Sequence, residues 1–421
     1  MTMAEWKRVK MEELIDEISM GPFGSDIKVS CFVDKGIPVL NGSNLFGTRL
    51  KETSYRYVTN DKADSLKKAN AARGDIIVTH RGTLGQIVFI PENSKYTRYV
   101  ISQSQFRFRC NHLAIPEYVV NYFHTHDGQN KILANASQVG VPALARASTS
   151  FREIEIPLPP LATQKKIAAV LGAIDDKIEA NRKICANLEA QAQALFKSWF
   201  VDFEPFGGKM PKDWKEIKLS EIADFYGGYS YKGEELQASN CAMATIKNFE
   251  RGGGFKLDGF KEIIPSPKLK PFHEVDIFDV LVAHTDLTQK AEVIGNAEML
   301  MSKAGYDKII MSMDLVKVLP KKGVSKFLLG ALLKNPVFKA HCLRYVNGTT
   351  VLHMSKSALD EYSLWFPDNS IALNRVSELL ESNCKKISAI IDESRALASM
   401  RDALLPRLMS GEIDVEKVEV A

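Results

Sequence analysis

Two polar loops, far apart in the chain, carry side chains that could recognise the edge of a nucleic-acid base. Residues 80–85 (HRGTLG) and 284–290 (HTDLTQK) each follow a short run of apolar, mostly β-branched residues, which is typical of a strand. Arginine and lysine have donors that match guanine, and asparagine and glutamine match adenine. Each loop is therefore a candidate for base recognition, although any one of these residues would also be ordinary in a surface turn.

A second polar segment precedes each of two long helical stretches. Residues 135–140 (NASQVG) are followed by Arg146, and residues 347–350 (NGTT) are followed by Lys356. The two copies place polar segments at the same two positions but differ in sequence there, as expected of two surfaces with different specificities. The candidate DNA-binding residues are Arg81, Thr83, Ser137, Gln138, Arg146, His284, Thr285, Asp286, Thr288, Gln289, Asn347, Thr349, Thr350 and Lys356.

Signatures of catalysis are missing from the sequence. It has no glycine-rich phosphate loop of the dinucleotide or nucleotide type, no nucleophile elbow, no HExxH, and no Asn/Asp-Pro-Pro-aromatic tetrapeptide. The eight histidines do not cluster, and no pair of the six cysteines has metal-ligand spacing. We therefore expect no catalytic residue, metal or cofactor in this chain. The absence of a signal peptide and the unpaired cysteines favour a cytoplasmic protein without a membrane segment.

The polar loops belong to a repeat that spans the chain. Trp6 and the residues after it return at Trp214, 208 positions later, and residues 75–80 (DIIVTH) return as 279–284 (DVLVAH), 204 positions later. This period is far longer than that of solenoid repeats. It predicts two copies of a whole domain, each followed by a long helix.

The two helical stretches share a heptad pattern. Apolar residues within 161–200, and again from residue 376 onward, alternate steps of three and four, which is typical of helices that pair in a coiled coil. The predicted helix-pairing residues are Leu171, Ile174, Ile178, Leu188, Leu195, Leu380, Ile387, Ile390, Leu397 and Leu404.

The ends and the direction of these helices can also be predicted. Thr163 is the expected N-cap of the first helix, and Pro406 and Gly411 are expected to end the second. Ser394 and Arg401 interrupt the apolar face of the second helix. If a pseudo-twofold axis relates the two copies, the helices must run antiparallel. The alternative is that each helix packs only on its own domain.

The predicted fold class is α+β. Two similar globular α/β domains would be held apart by two long antiparallel coiled-coil helices in an internal pseudo-twofold repeat. We expect a first domain over residues 1–155, a central helix over 156–205, a second domain over 206–366, and a C-terminal helix over 367–421. A chain of 421 residues is long enough for two such cores, and its net charge of +4 says little about its ligands.

Four segments of this chain, in this order, resemble the DNA specificity subunits of type I restriction-modification systems. They are residues 157–167 (PLPPLATQKKI), 195–203 (LFKSWFVDF), 283–289 (AHTDLTQ) and 404–413 (LLPRLMSGEI), with residues 21–25 (GPFGS) and 81–83 in support. The start of the second helix, residues 367–370 (PDNS), departs from the pattern because it lacks the double proline and the glutamine of the first.

The resemblance implies a function. Each globular domain would be a target recognition domain that reads one half of a bipartite, asymmetric sequence in double-stranded DNA. The helices would set the gap between the halves and help to dock two methyltransferase (modification) subunits, and restriction/translocase subunits would join for cleavage. The chain would not be an enzyme by itself. S-adenosylmethionine, ATP and Mg would be bound by the partner subunits.

Two other interpretations remain open at this stage. A DNA-modifying enzyme that combines methyltransferase and specificity functions would bind S-adenosylmethionine in this chain. A structural protein that holds two protein-binding domains on paired helices would show no preference among DNA sequences.

Overall fold

The computed structural model describes residues 6–137, 141–355, 357–367 and 373–418. The chain divides into two compact units, which are Met1–Lys177 with Leu397–Ala421, and Ile178–Ala396. Each unit holds one globular domain and part of each of two long helices.

The elements of the first domain are short strands and helices that lead into a long helix. The strands are β1 (Lys7–Lys10), β2 (Ile15–Met20), β3 (Phe32–Val33), β4 (Ile37–Val39), β5 (Arg56–Val58), β6 (Asn70–Ala72), β7 (Ile76–Thr79), β8 (Ile87–Phe89), β9 (Arg98–Val100), β10 (Gln105–Cys110), β11 (Ala136–Ser137), β12 (Ala143–Leu144) and β13 (Glu155–Leu158). The helices are α1 (Met11–Leu14), α2 (Asn60–Ser65), α3 (Pro116–Phe123), α4 (His126–Leu133), α5 (Ala147–Arg152) and the long α6 (Leu161–Phe200).

A four-stranded antiparallel sheet in the order β2-β10-β7-β8 forms the centre of the first domain. Its strand β7 is buried on both faces. Ile76 and Val78 pack in a core with α3, whereas Ile77 packs in a second core with the five-stranded sheet β3-β5-β4-β9-β6. Burial on both faces explains why this strand is an unbroken apolar run in the sequence.

The second domain repeats most of this order, but β3, α2 and β6 have no counterparts among its described elements. Its strands are β14 (Trp214–Lys218), β15 (Ala223–Gly227), β16 (Cys241–Ala244), β17 (Lys261–Glu262), β18 (Val280–Ala283), β19 (Thr285–Asp286), β20 (Ala297–Met299), β21 (Lys308–Met311), β22 (Leu315–Pro320), β23 (Val346–Asn347), β24 (Leu352–Met354) and β25 (Ser363–Pro367). Its helices are α7 (Leu219–Ile222), α8 (Lys326–Leu333), α9 (Pro336–Leu343), α10 (Ser357–Glu361) and the long α11 (Asn374–Met409).

The two domains share the topology of the central sheet, whereas the second sheet has five strands in the first domain and three in the second. The order β15-β22-β18-β20 in the second domain matches β2-β10-β7-β8 in the first. Strands β14 and β25 pair as β1 and β13 do, and the parallel pair β16-β21 matches β4-β9. The repeat seen in the sequence is therefore a repeat of the fold.

A buried ion pair recurs at the same place in both central sheets. In the first domain Asp75 Oδ2 lies 3.5 Å from Arg107 Nη1, and in the second Asp279 Oδ2 lies 3.7 Å from Lys317 Nζ. Each aspartate precedes the strand that leads into a polar loop, and each cation lies on the neighbouring strand. Removing one partner of such a buried pair typically costs about 3–5 kcal/mol because the other charge is left unpaired, so the pair disfavours any register that would separate its two residues.

These pairs also locate an insertion. Asp75 and Asp279 are 204 positions apart, whereas Arg107 and Lys317 are 210 positions apart. The register of the sheets places the change in the loop between β7 and β8, because Ile87 and Ala297 are already 210 apart. The polar loop of the second domain, residues 284–296, is thus six residues longer than residues 80–86 of the first.

The start of α6 is fixed by a buried glutamine. Gln164 is 1% exposed, its Oε1 accepts the Ile115 N–H at 2.9 Å, and its Nε2 donates to the carbonyls of Leu113 and Pro159 at 3.0 and 2.9 Å. The helix begins at Leu161, so the prediction that Thr163 is the N-cap is wrong. The diproline ends the preceding strand and already sets the first turn, as prolines at helix starts do.

In the first unit the beginning of α6 runs antiparallel to the end of α11. Lys166 forms an ion pair with Glu416, and Asp175 Oδ1 lies 2.9 Å from Arg401 Nη1. The residue numbers of the partners therefore decrease as the residue numbers along α6 increase. The apolar residues that share a core in this contact are Ile167, Leu171, Leu408 and Met409. Arg401 interrupts the apolar face because it is the partner of Asp175.

In the second unit the same direction is observed. Asn181 Nδ2 donates to Glu393 Oε2 at 2.7 Å and to Ser394 Oγ at 3.1 Å, and Asn383 Nδ2 lies 3.5 Å from the Leu188 carbonyl. Asn181 is 1% exposed, and a buried asparagine in a helix seam fixes register because its hydrogen bonds exist in one alignment only.

The predicted pairing residues are buried to different degrees. Leu171, Ile174, Leu188, Leu380 and Ile387 are buried, and Ile178, Leu195, Ile390, Leu397 and Leu404 are half-buried. Parts of both helices also belong to the cores of the domains, so helix pairing and packing on a domain occur together. The prediction that Pro406 ends α11 is wrong, since the helix continues to Met409 and Gly411 follows with φ +73°.

Candidate nucleic-acid interface

The two polar segments of the first domain meet in the structure. Arg81 forms an isolated antiparallel bridge with Ala143, and the Leu144 N–H donates to the His80 carbonyl at 2.9 Å. Ala143 also pairs with Ser137. Residues 80–86, 136–137 and 141–146 are called the first interface below.

The corresponding segments of the second domain meet in the same way. Thr285 pairs with His353, and His353 pairs with Asn347, which gives a three-stranded sheet in the order β19-β24-β23. The Met354 N–H donates to the His284 carbonyl at 2.9 Å, which is the counterpart of the Leu144 contact in the first domain. Residues 284–296 and 346–353 are called the second interface below.

The second interface carries a longer loop that is held by one carboxylate. Asp286 is 4% exposed; its Oδ1 accepts the Thr288 N–H at 2.7 Å and hydroxyl at 2.9 Å, and its Oδ2 accepts the Val293 N–H at 2.9 Å. Burial alone would raise the pKa of Asp286, but these hydrogen bonds and nearby Arg251 lower it below its usual range. Asp286 is therefore ionised at neutral pH and stabilises the loop.

A second contact joins the two segments of this interface. Gln289 Nε2 donates to the Thr349 carbonyl at 2.6 Å, and both residues are exposed to solvent. Thr285, which is 3% exposed, donates its hydroxyl to Asp314 Oδ1 at 3.0 Å. Thr285 and Asp286 thus shape the loop from inside, and they do not face solvent in this structure.

The other predicted DNA-binding residues lie mostly at the surface. His284 and Thr288 are half-buried, and Gln138 and Lys356 lie outside the described residues. The exposed ones are Arg81, Thr83, Ser137, Arg146, Gln289, Asn347, Thr349 and Thr350. They are divided between the two interfaces, so every described residue predicted from the sequence belongs to one of them.

The positive charge of the first interface comes from arginine. Burial of the imidazole is the main cause that lowers the pKa of His80, and the positive charge of Arg81 lowers it further. His80 is therefore mainly neutral at pH 7. Arg81 and Arg146 are exposed, and Arg146 has the left-handed backbone angle φ +47°. A non-glycine residue in that region costs on the order of 1 kcal/mol and is found preferentially at functional sites.

A third loop lies at the same end of the first sheet and was not among the candidate DNA-binding residues. The Gly21 N–H donates to the Gln105 carbonyl at 2.8 Å, and Gln105 pairs with Thr79, which precedes the first interface. A Cβ atom on Gly21 would lie 2.0 Å from the Ser102 carbonyl oxygen, so only glycine fits. The glycine-rich run GPFGS was the signal in the sequence for this loop.

Comparisons with known proteins agree with the resemblance seen in the sequence. The family model of the type I restriction modification DNA specificity domain matches residues 3–190. The type I restriction enzyme MjaIX specificity subunit of Methanocaldococcus jannaschii is 25% identical over 367 residues, which cover 82% of this chain and 79% of that protein. The HindI specificity subunit of Haemophilus influenzae is 25% identical over 415 residues, covering 84% and 89%.

A solved structure supports the fold. The crystal structure of a type I restriction-modification S subunit from M. genitalium superposes with a TM-score of 0.62 at 14% identity and covers 96% of both chains. At this identity the likeness shows the fold alone. It agrees with the expected class of two similar α/β domains joined to two long helices that run antiparallel, which is confirmed.

These findings describe one class of protein to which the chain is similar. Residues 3–190 match the family model of its DNA specificity domain. The resemblance of the chain to the specificity subunits of type I restriction-modification systems, which extends over more than four fifths of its length, is confirmed. Among the helices in the described residues, none is long and apolar enough to cross a membrane. The cytoplasmic location stays a prediction.

Proposed function

We propose that this chain selects the DNA sequence on which a type I restriction-modification complex acts. Each domain would read one half of a bipartite, asymmetric target in double-stranded DNA through its own interface. The observation that carries this proposal is the repeated frame with different exposed side chains. Arg81, Thr83 and Ser137 occupy the first interface, and Gln289, Asn347 and Thr349 occupy the second.

The chemistry of the exposed side chains suits base recognition. Arg81 offers a planar pair of donors that matches the two acceptors of guanine, and the amide groups of Gln289 and Asn347 match adenine. Thr285 and Asp286 would act indirectly, because they hold the loop in place. Different loops on one frame would give each half of the target its own sequence.

The long helices suit the role of a spacer. At about 1.5 Å per residue, the 40 residues of α6 correspond to about 60 Å and the 36 residues of α11 to about 54 Å. Half-sites that face the same side of a DNA duplex lie about 34 Å apart or at multiples of that distance. Helices of this length with a fixed register could therefore define the gap between the half-sites.

The chain would work with catalytic partners. Two methyltransferase subunits would dock on the helices and the adjoining domain surfaces, flip an adenine in each half-site, and methylate it. Restriction/translocase subunits would join them for cleavage. S-adenosylmethionine, ATP and Mg would be bound by these partners, and this chain would contribute no catalytic residue.

Methylation mapping tests the proposal. The chain is expressed with the methyltransferase subunits of its system, and methylated adenines are mapped over a genome that lacks other methyltransferases. We expect a single bipartite motif with a fixed gap, and no methylation when this chain is omitted. Binding of S-adenosylmethionine to the purified chain would favour a combined enzyme instead. Normal complex assembly without any sequence preference would favour a protein scaffold.

A further inference from the structure

An aromatic side chain stands exposed on a rigid turn of the first domain. Phe23 is 84% exposed, which is unusual for a ring of this size. Its N–H donates to Asp26 Oδ2 at 2.9 Å, and the Asp26 N–H donates back to the Phe23 carbonyl at 2.9 Å, so the turn is closed on itself. Pro22 precedes it with a fixed φ. The ring is therefore presented to solvent by a turn that two hydrogen bonds close.

The turn stands beside the first interface. Strand β10 lies between β2 and β7, and it receives hydrogen bonds at the same end from both neighbours. The Gly21 N–H donates to Gln105 O at 2.8 Å, and the His80 N–H donates to Ser104 O at 2.9 Å. Neighbouring strands are about 4.8 Å apart, and β2 and β7 are separated by one strand, β10. The C-terminal ends of β2 and β7 therefore lie only about 10 Å apart. That distance corresponds to about three base pairs.

The ring adds a large aromatic surface beside the first interface, where Val141, 57% exposed, is also apolar. Arg81, Ser137 and Arg146 recognise hydrogen-bonding groups, whereas the C5 methyl group of thymine is recognised by an apolar contact. An exposed phenylalanine gains stability when DNA covers it, at roughly 25 cal/mol for each Å² of apolar surface removed from water.

The second domain lacks this ring. Gly228 is the counterpart of Gly21, since a Cβ on Gly228 would lie 1.9 Å from the Ser312 carbonyl oxygen, as one on Gly21 would from Ser102. The same spacing of 207 positions aligns Phe23 with Ser230, which is exposed. At this turn the exposed ring is thus found in the first domain and a serine in the second, and Phe23→Ser converts the first turn to the residue type of the second.

We propose that Phe23 contacts the methyl group of a thymine in the first half-site and so determines specificity at one position. The proposal rests on the function proposed above, because it requires that the first domain reads DNA. It adds to the polar candidates a residue of a different chemical class, on a loop that none of those candidates occupies.

The test uses the full chain in complex with its methyltransferase subunits. Methylation rates are measured on a library of duplexes that contains every single substitution of the mapped target. Phe23→Ser is expected to reduce the preference for thymine at one position of the first half-site about fourfold, the effect of one buried methyl group, and to leave the second half-site unchanged. Replacing that thymine with uracil should reduce the wild-type rate by the same factor.

Two further variants control for structure. Phe23→Leu keeps an apolar contact and should restore part of the preference. Phe46→Ser removes a second exposed ring, 75% exposed, from a different loop, and should leave the preference unchanged. All three variants should retain the melting temperature of the wild type.

The outcomes separate this proposal from the function on which it rests. If the wild type methylates a bipartite motif but Phe23→Ser keeps every base preference, or loses activity equally on all sequences, the role of Phe23 is refuted. It is also refuted if the relaxed position holds no thymine. If the wild type itself shows no sequence preference in the library, the proposed function fails first.

Discussion

Replacing Asp286 with alanine is expected to open the loop of the second interface while the rest of the second domain stays folded. The carboxylate is 4% exposed and accepts three hydrogen bonds, two from Thr288 and one from the Val293 N–H. Alanine leaves two backbone N–H groups without their acceptor. The central sheet does not depend on this carboxylate, because its strands are paired with each other.

The size of the effect follows from the burial of the two donors. An unsatisfied buried donor costs about 1–3 kcal/mol. Thr288 is half-buried, so water can replace part of its bond, and we assign it about 1 kcal/mol. Val293 is 8% exposed, and we assign its N–H about 2 kcal/mol. A loss of about 3 kcal/mol increases the population of the open loop about hundredfold.

Hydrogen exchange measures this opening directly. Amides within residues 284–296 should exchange about a hundredfold faster in Asp286→Ala, and preference at the second half-site should fall while the first half-site is kept. Leu287→Ala is the control, since this side chain of the same loop is 66% exposed and should leave exchange unchanged. Because the pKa of Asp286 is lowered, its contribution to the stability of the loop is fully present at pH values above the ordinary pKa of an aspartate. That contribution is lost only as the pH falls through the lowered pKa. Unchanged exchange in Asp286→Ala would refute the role of this carboxylate.

Three further predictions concern the first unit. Arg81→Ala should cost about 1–3 kcal/mol in binding and relax one position of the first half-site; a uniform loss on all sequences in a gel-shift series would make it a phosphate contact instead. Arg401→Ala should lower the free energy of unfolding by about 1 kcal/mol because Asp175, 2.9 Å away, is mostly buried; in denaturant titrations the exposed pair of Arg407 should cost less, and equal losses would contradict this. His124 has a pKa lowered chiefly by burial, so its neutral form is stabilised and the protein should lose stability as the pH falls below about 6.5; His124→Asn should weaken that dependence in thermal melts between pH 7.5 and 5, and an identical dependence would argue against it.

The features that could be predicted from the sequence depend on periodicity. The apolar runs of β7 and β18 are repeated, and so are the heptad seams of α6 and α11. A continuous apolar run predicts a strand that is buried on both faces, and a heptad seam predicts a helix that packs along one stripe. The helix α3, Pro116–Phe123, has its proline in the first turn, where proline is favoured, so the start of this helix has a local signal in the sequence.

The features that could not be predicted depend on contacts between distant residues. The bridge between Arg81 and Ala143 joins segments more than sixty positions apart, and no local pattern indicates it. Similarly, the type of a polar loop residue does not reveal whether it faces solvent or satisfies the backbone. Thr285 and Asp286 were expected to meet bases, and the fold has turned them inward. From the sequence, Arg401 is only an interruption of the apolar seam. Its partner, Asp175, lies on the other helix, so the ion pair could not be seen in the local pattern.

A domain exchange tests the central claim most directly. Residues 1–155 are replaced with the corresponding segment of a related specificity subunit that has a different target, and methylated adenines are mapped in the complex with methyltransferase subunits. We expect that one half of the motif changes to that of the donor, while the other half and the gap length stay the same. A change in both halves, or in neither, would contradict the claim that each domain reads its own half-site.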